Sequence, residues 1–412
     1  MLKKYNLTHF TTILVSFFFL AVLLFAKGYN YSPFILSIIS VIYLIHFLIK
    51  KNKIQVPKLD KLIIYSYIFY FLTFLPSVII HSDKAKVLDN PAKILLFLPL
   101  LLLFKKFPIK THIILHTIPF GAFIAGLVAI YQRFILHKEQ AFYTHMHIQG
   151  GDIAMSVAMF SIIATLYFAI KKQYKLTALY TFFSLMGILA GFLSTARGAW
   201  IGLPFILLFI FFVYRQYLPK KTIMGFIAII AIIIGGASLV PNTSISHRFH
   251  QATHEIIAYF DKGNGSTSVG ARFDMWKSAL LQAQQKPILG WGLQGVMENR
   301  LELGKQGIIS EYASQFSHAH NQYLDDLSKR GIIGLIALLA VLLIPFSIFI
   351  KSINKENLEQ TTIALLGCVH IISVAFYFIS QGFLVHNSGT VFYFFLIIVF
   401  YAMLQQKLKN LS

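Results

Sequence analysis

The feature that most constrains this chain is a recurrence of long apolar runs with hardly a charge inside them. Along the 412 residues, twelve stretches approach the roughly 20 apolar residues a helix needs to cross a bilayer. They lie near 9–26, 32–49, 62–80, 94–108, 112–132, 152–170, 176–194, 198–216, 222–240, 331–350, 361–380 and 388–405. Inside lipid each backbone N–H and C=O must find its partner within the structure, so spanning segments are helices or closed barrels. Unbroken apolar runs select helices. Only 12% of residues are charged, against about a quarter in soluble domains, too few to clothe a globular surface of this size. The expectation is an all-α polytopic membrane protein with about 12 transmembrane helices. The fourth run, around Pro99, is short and carries its own helix breaker.

Charge gives the orientation. The formal net charge is +21, from 36 Lys+Arg against 15 Asp+Glu. In a soluble protein that imbalance would suggest nucleic acid; here it follows from basic residues collecting in cytoplasmic loops, and no nucleic-acid partner is expected. With the N-terminus inside, the inner connections hold about three times as many Lys and Arg as the short outer ones. Both termini are then cytoplasmic. Lys27 follows the first run without a small-x-small cleavage pattern, which reads as an uncleaved span. Cys368 is the single cysteine, so no intrachain disulfide can form.

Three regions follow: spans 1–9 over residues 1–240, a large outer loop over 241–330, and spans 10–12 with a cytoplasmic tail over 331–412. The loop is too polar to span and is patterned for helices. Residues 271–284 place Phe273, Trp276 and Leu280 on one helical face, and Pro287 with the Gly290-Trp291-Gly292 turn ends that helix. A second helix is expected from about Ser317 to Arg330, running into the tenth span.

Absent motifs narrow the chemistry. None of the fifteen carboxylates falls mid-span, and Asp152 alone touches a span end, which argues against a proton- or cation-driven carrier. There is no P-loop, dinucleotide fingerprint or His-Glu-x-x-His, and the outer loop has no Asp-x-Asp pair. ATP and nucleotide-sugars are cytoplasmic, so chemistry on the outer side needs a donor already activated and carried by lipid.

The candidate site is basic. Ser194-Thr195-Ala196-Arg197-Gly198 is a tight outer turn in which Arg197 sits at headgroup depth and can hold a lipid phosphate through a bidentate fork. A snorkelling arginine is the alternative for that residue alone. Arg272 opens a helix, a position where the dipole disfavours a cation unless an anion is shared with the free N–H groups. Ser317-His318-Ala319-His320-Asn321 offers a neutral imidazole as base or donor, with capping or surface histidine as the plainer reading. His318 and His320 lack further metal ligands, so no metal or cofactor is expected. Lys84, Lys86 and Arg133 read first as headgroup anchors and second as phosphate contacts.

The run HNQYLDDLSKRGIIG holds His320, Asn321, Gly331 and Gly334 at a spacing that resembles the His-Asn/Ser/Gln, nine-residue, Gly-x-x-Gly hallmark of the O-antigen ligase and polymerase superfamily. Arg197-Gly198, the Gly-Ala-Arg at Arg272 and the Pro-x-x-Gly-x-Gly of Pro287–Gly292 also match, as does a large outer loop before the tenth span. Within the superfamily the chain is most similar to the lipopolysaccharide O-antigen ligases. Polymerases of the superfamily generally lack the His motif, and protein O-oligosaccharyltransferases tend to be longer. The resemblance implies a multi-pass protein of the bacterial inner membrane whose active site faces the periplasm. It implies transfer of a glycan from undecaprenyl pyrophosphate to lipid A-core, with inversion and without metal or ATP. Arg197 and Arg272 would hold the pyrophosphate and His320 would deprotonate or orient the acceptor hydroxyl. Arg133, Lys84, Lys86, His318 and Asn321 would be lesser substrate contacts. A small-solute transporter is the competing class.

Overall fold

The computed structural model describes residues 2–409, apart from Asn52, Ile54, Arg197 and the positions 222–223, 226–227 and 229–243. Among the described residues there is no strand. Nine helices are long and apolar enough to cross a membrane: Gly28–Ile49, Lys58–Ile79, Ala85–Lys106, Thr111–Ile135, His147–Ile170, Tyr174–Leu193, Gln322–Lys351, Leu358–Ser380 and Asn387–Lys409. Two shorter apolar helices, Leu7–Ala21 and Gly198–Tyr214, occupy the first and eighth expected spans. The expected span 222–240 lies almost wholly outside the described residues. The chain is therefore a helical, multi-pass membrane protein with nine full-length spans among its described residues.

Burial sorts these helices into a centre and a rim. Most residues of His147–Ile170, Leu358–Ser380 and Asn387–Lys409 are buried inside the protein, whereas only about a third or fewer are buried in Gly28–Ile49 and Lys58–Ile79. An all-round apolar helix packs on every side, which these three central sequences permit. Small residues set the closest approaches, as transmembrane packing requires. A side chain at Gly187 would meet Ala122 and Ala158, so three helices converge there. Proline divides the third and fourth spans. Lys58–Leu72 gives way to Leu75–Ile79 around Pro76, and Asp89–Leu96 breaks before Pro99–Lys106.

Two boundaries differ from the sequence expectation. The sixth helix begins at His147 rather than 152, so Asp152 is a full turn inside it and fully buried. The helix expected from Ser317 begins instead at Gln322, because Asn321 caps it: its side-chain carbonyl accepts the Leu324 N–H at 3.1 Å. That leaves 317–320 as a non-helical segment carrying both histidines.

The polar region ahead of Gln322 is built from Ser244–Lys262, Ser268–Gln285, Gly292–Lys305 and Glu311–Ser314. Phe273, Trp276 and Leu280 do share one helical face, and it is the less buried one. Ala271, Asp274, Met275, Ser278, Ala279 and Gln282 are buried, whereas Leu280 is 49% exposed and Phe273 and Trp276 are half-buried. Most polar groups of the buried face find partners, Gln282 Oε1 excepted among the described residues. Asp274 accepts the Ser310 N–H at 2.7 Å and the Tyr259 hydroxyl at 2.9 Å, and Gln282 donates to the Val296 carbonyl at 3.0 Å. Phe260, Phe273 and Trp276 instead form an outward aromatic ladder with centroids 5.7 Å apart at each step.

Two tethers fix this region to the bundle. Asp83, between the third and fourth spans, accepts the N–H groups of Leu293 and Gln294 at 2.6 and 2.8 Å, capping Gly292–Lys305 from across the fold. The Pro287–Gly292 segment also lies along the long helix Gln322–Lys351 where that helix breaks. Gly331 there has φ 64 and ψ −163, and a Cβ on it would lie 2.2 Å from the Ile288 carbonyl. Ile332 N–H donates to Pro287 O at 2.8 Å and Trp291 N–H to Ser328 O at 3.0 Å. The two glycine motifs thus meet, one as the break and the other as the strap across it. Gly331→Ala is expected to destabilise the protein by about 1–3 kcal/mol or more, since that backbone region is nearly restricted to glycine. Thermal unfolding of the purified variant checks this, and an unchanged midpoint would refute it.

Candidate active site

The site begins at the segment between Phe316 and Asn321. Three contacts hold it. Buried Arg300 donates from Nη1 to the Phe316 carbonyl at 2.6 Å, Asp325 accepts the Ala319 N–H at 3.0 Å, and Asn321 caps the following helix. Asp325 is itself held by Lys329 at 2.8 Å. His320 adopts φ 47, a left-handed conformation that an ordinary L-residue takes at a cost. The pinned flanks sustain that strain, as is common at functional sites.

His318, His320 and His386 cluster here, with ring centroids 4.2 Å apart for the first pair and 6.0 Å for His318 and His386. Gln381, buried at the end of Leu358–Ser380, joins two of them. Its Oε1 can only accept, so the 2.8 Å contact assigns a proton to His320 Nδ1. Its Nε2 donates to His386 Nε2 at 3.2 Å. His320 Nε2 is then the nitrogen with the lone pair. Burial, followed by the positive charge of Arg272, lowers the His320 pKa to about 4. Burial and His320 together take His318 down to about 3, and burial also lowers His386. All three rings are neutral at pH 7.

Arg272 thus stands close enough to His320 to bias its charge. Its Nη1 donates to Ser268 O at 3.3 Å and to Ser268 Oγ at 3.4 Å, on the first turn of Ser268–Gln285. The Thr267 hydroxyl caps that helix by accepting the Gly270 N–H at 3.0 Å. Arg197 lies outside the described residues, but the turn around it is described. A side chain at Gly198 would lie 2.0 Å from Ser380 Oγ, and one at Gly151 would lie 2.1 Å from Ser194 Oγ and 2.8 Å from Ala196. Ser380 directly precedes Gln381, so the Ser194–Gly198 turn packs beside the residue that orients His320.

The lesser candidates separate. Lys86 is exposed and lines a cavity of about 220 Å³ with Lys329, Arg330, Asp325 and Asp326. Arg330 pairs with Asp326, bonds the Tyr70 hydroxyl at 3.2 Å and lies 3.7 Å over the Phe74 ring. Lys84 is exposed and precedes the short turn Ala85–Leu88, with no part in that lining. Arg133 closes its own loop by donating to the carbonyls of Lys138, at 2.8 Å, and Glu139. Asn321 serves the backbone as a cap. Among the described residues no three metal-ligating side chains converge, the histidine cluster included.

Gln381 and His386 were missed by sequence reasoning. The signal was faint: a polar cluster, Ser380-Gln381, then His386-Asn387-Ser388, in a loop between two apolar spans. Gln381→Glu is expected to put an anion against His320 Nδ1 and raise its pKa by about 1–3 units. The acid limb of the pH–activity profile should then move up by that amount. A limb that stays in place would remove Gln381 from the surroundings of His320.

Fold and site together define a polytopic helical membrane protein with a neutral histidine and an arginine brought together at one end of the bundle. A family model described as O-antigen ligase matches residues 181–339, a stretch that takes in Arg197, Arg272 and His320. An uncharacterized protein of Haemophilus influenzae is 46% identical over 394 residues, covering 96% of this chain and 98% of that one. The chain belongs to the O-antigen ligase superfamily.

Proposed function

We propose that the protein is a ligase of lipopolysaccharide assembly, transferring a glycan from undecaprenyl pyrophosphate to a sugar hydroxyl of lipid A-core on the periplasmic face of the inner membrane. The observation that carries this reading is a buried His320 oriented through Nδ1 by Gln381 and kept neutral by burial and the nearby charge of Arg272. A hydroxyl acceptor must lose its proton as it attacks the anomeric carbon, and His320 Nε2 is the group that takes or steers it. The C1–O bond to the pyrophosphate breaks on the opposite face, so the configuration inverts. Charge grows on the departing pyrophosphate, and Arg272 with Arg197 stabilises it. Lys86 adds positive potential for the anionic substrates in the neighbouring cavity, where Asp325 and Asp326 neutralise Lys329 and Arg330.

Deletion of the gene, with gel analysis of lipopolysaccharide and of lipid-linked glycan, tests the reading. Core lipopolysaccharide bare of added glycan, with lipid-linked glycan accumulating, is the expected outcome. A core carrying one repeat unit would mean that chain growth had failed instead, making the protein a polymerase. An unchanged pattern would turn attention to a protein acceptor or to transport.

A further inference from the structure

The opposite, Lys-rich end of the bundle holds two adjoining cavities that the glycan chemistry does not use. One, of about 310 Å³, is apolar and lies where the fourth span breaks at Pro99; Leu44, Ile64, Leu98 and Leu102 line it. The other, of about 240 Å³, is the more polar of the two, with Tyr401, Gln405, Gln406 and Lys409 in its wall. Asp60, Leu101 and Lys105 border both. An apolar hollow opening onto a polar one, at the end of a membrane bundle, has the form of an amphiphile.

We propose that this paired cavity binds one anionic glycerophospholipid of the phosphatidylglycerol class, its phosphate and glycerol in the polar part and the start of an acyl chain in the apolar part. The Lys/Arg bias puts this end in the cytoplasmic leaflet, where basic pockets between spans meet anionic headgroups. Charge selects the headgroup. Lys105 and Lys409 line the polar part, and Lys58, Lys61 and Lys106 stand within a few residues of its lining along the same chain segments. The one carboxylate lining it among the described residues, Asp60, is engaged by the Tyr401 hydroxyl. Two polar atoms point to hydrogen-bonding groups of a ligand: Gln405 Nε2, a donor, and Gln406 Oε1, an acceptor, are buried without a protein partner among the described residues. A phosphate oxygen satisfies the first and a glycerol hydroxyl the second, whereas a choline headgroup has no hydroxyl to offer.

The full-length protein, purified from membranes in mild detergent, tests this by native mass spectrometry and thermal unfolding with added phosphatidylglycerol or phosphatidylcholine. Phosphatidylglycerol is expected to stay bound at one per chain and to raise the unfolding midpoint more than phosphatidylcholine does. Lys105→Glu should lower its retention by roughly ten-fold or more. Leu98→Trp, which fills the apolar part, should lower retention of both lipids. Lys171→Glu, an exposed site after His147–Ile170, should leave retention unchanged. Should Lys105→Glu fail to accumulate, Gln405→Leu with Gln406→Leu removes the polar contacts and should erase the preference. Equal retention of the two lipids by the wild type, undiminished binding in Lys105→Glu or Leu98→Trp, or equal loss in Lys171→Glu would overturn the assignment.

Discussion

His320→Ala is expected to lower glycan transfer by about 10²- to 10⁴-fold at pH 7, the usual worth of a positioned general base, with membrane abundance unchanged. Among the described residues the ring's one hydrogen bond is Nδ1 to Gln381, while the shape of its loop depends on Ala319, Asn321 and Phe316. Removing the imidazole therefore takes away the chemistry and leaves the scaffold. The pH dependence follows from the same environment. A folded-state pKa of about 4 keeps the base form present down to about pH 5, so activity should hold to there and fall as pH passes through about 4. Stability has the matching sign. The unfolded histidine titrates near 6.5, so below that pH the unfolded chain takes up the proton first. The contribution is whole above about pH 6.5 and is lost as pH falls toward 4. Full transfer by His320→Ala in membranes would remove His320 from the mechanism.

Arg272→Ala should cost about 10²–10³-fold, the scale seen when one preorganised donor to a developing anion is removed. Arg272→Lys should recover only part of that, because a point charge replaces a planar fork. The substitution has a second signature. Arg272 holds the His320 pKa down, so its loss should raise the acid limb of whatever activity remains. A drop in rate with no movement of the limb would place Arg272 away from His320 in the working enzyme. Arg197→Ala, next in the chain to the Gly198 that packs against Ser380, is expected to cost a similar factor.

Much of this fold is legible in the sequence because spanning is a local property: length and apolarity of a run decide it. The break at Pro99 and the Gly290–Gly292 turn were equally visible, since proline and glycine act on their own backbone. What escaped was whatever depends on distant partners. Gln381 reaches His320 across 61 residues and Asp83 caps Gly292–Lys305 across about 210, and no periodicity encodes either. Which face of Ser268–Gln285 packs inward escaped for a related reason. Its polar residues Asp274, Ser278 and Gln282 find hydrogen bonds inside, leaving Phe273 and Trp276 on the outward side. Nothing in the sequence marked Asp325 and Asp326 as buried, yet they form ion pairs inside the protein with Lys329 and Arg330 four residues on, just ahead of the break at Gly331.

The most direct test of the central claim is transfer by the purified protein alone, given a polyprenyl-pyrophosphate-linked glycan and lipopolysaccharide ending at the core, without nucleotide. The reading predicts glycan joined to the core and free polyprenyl pyrophosphate in equal amounts, with neither product formed by His320→Ala. Lengthening of the lipid-linked glycan without any addition to the core would contradict it.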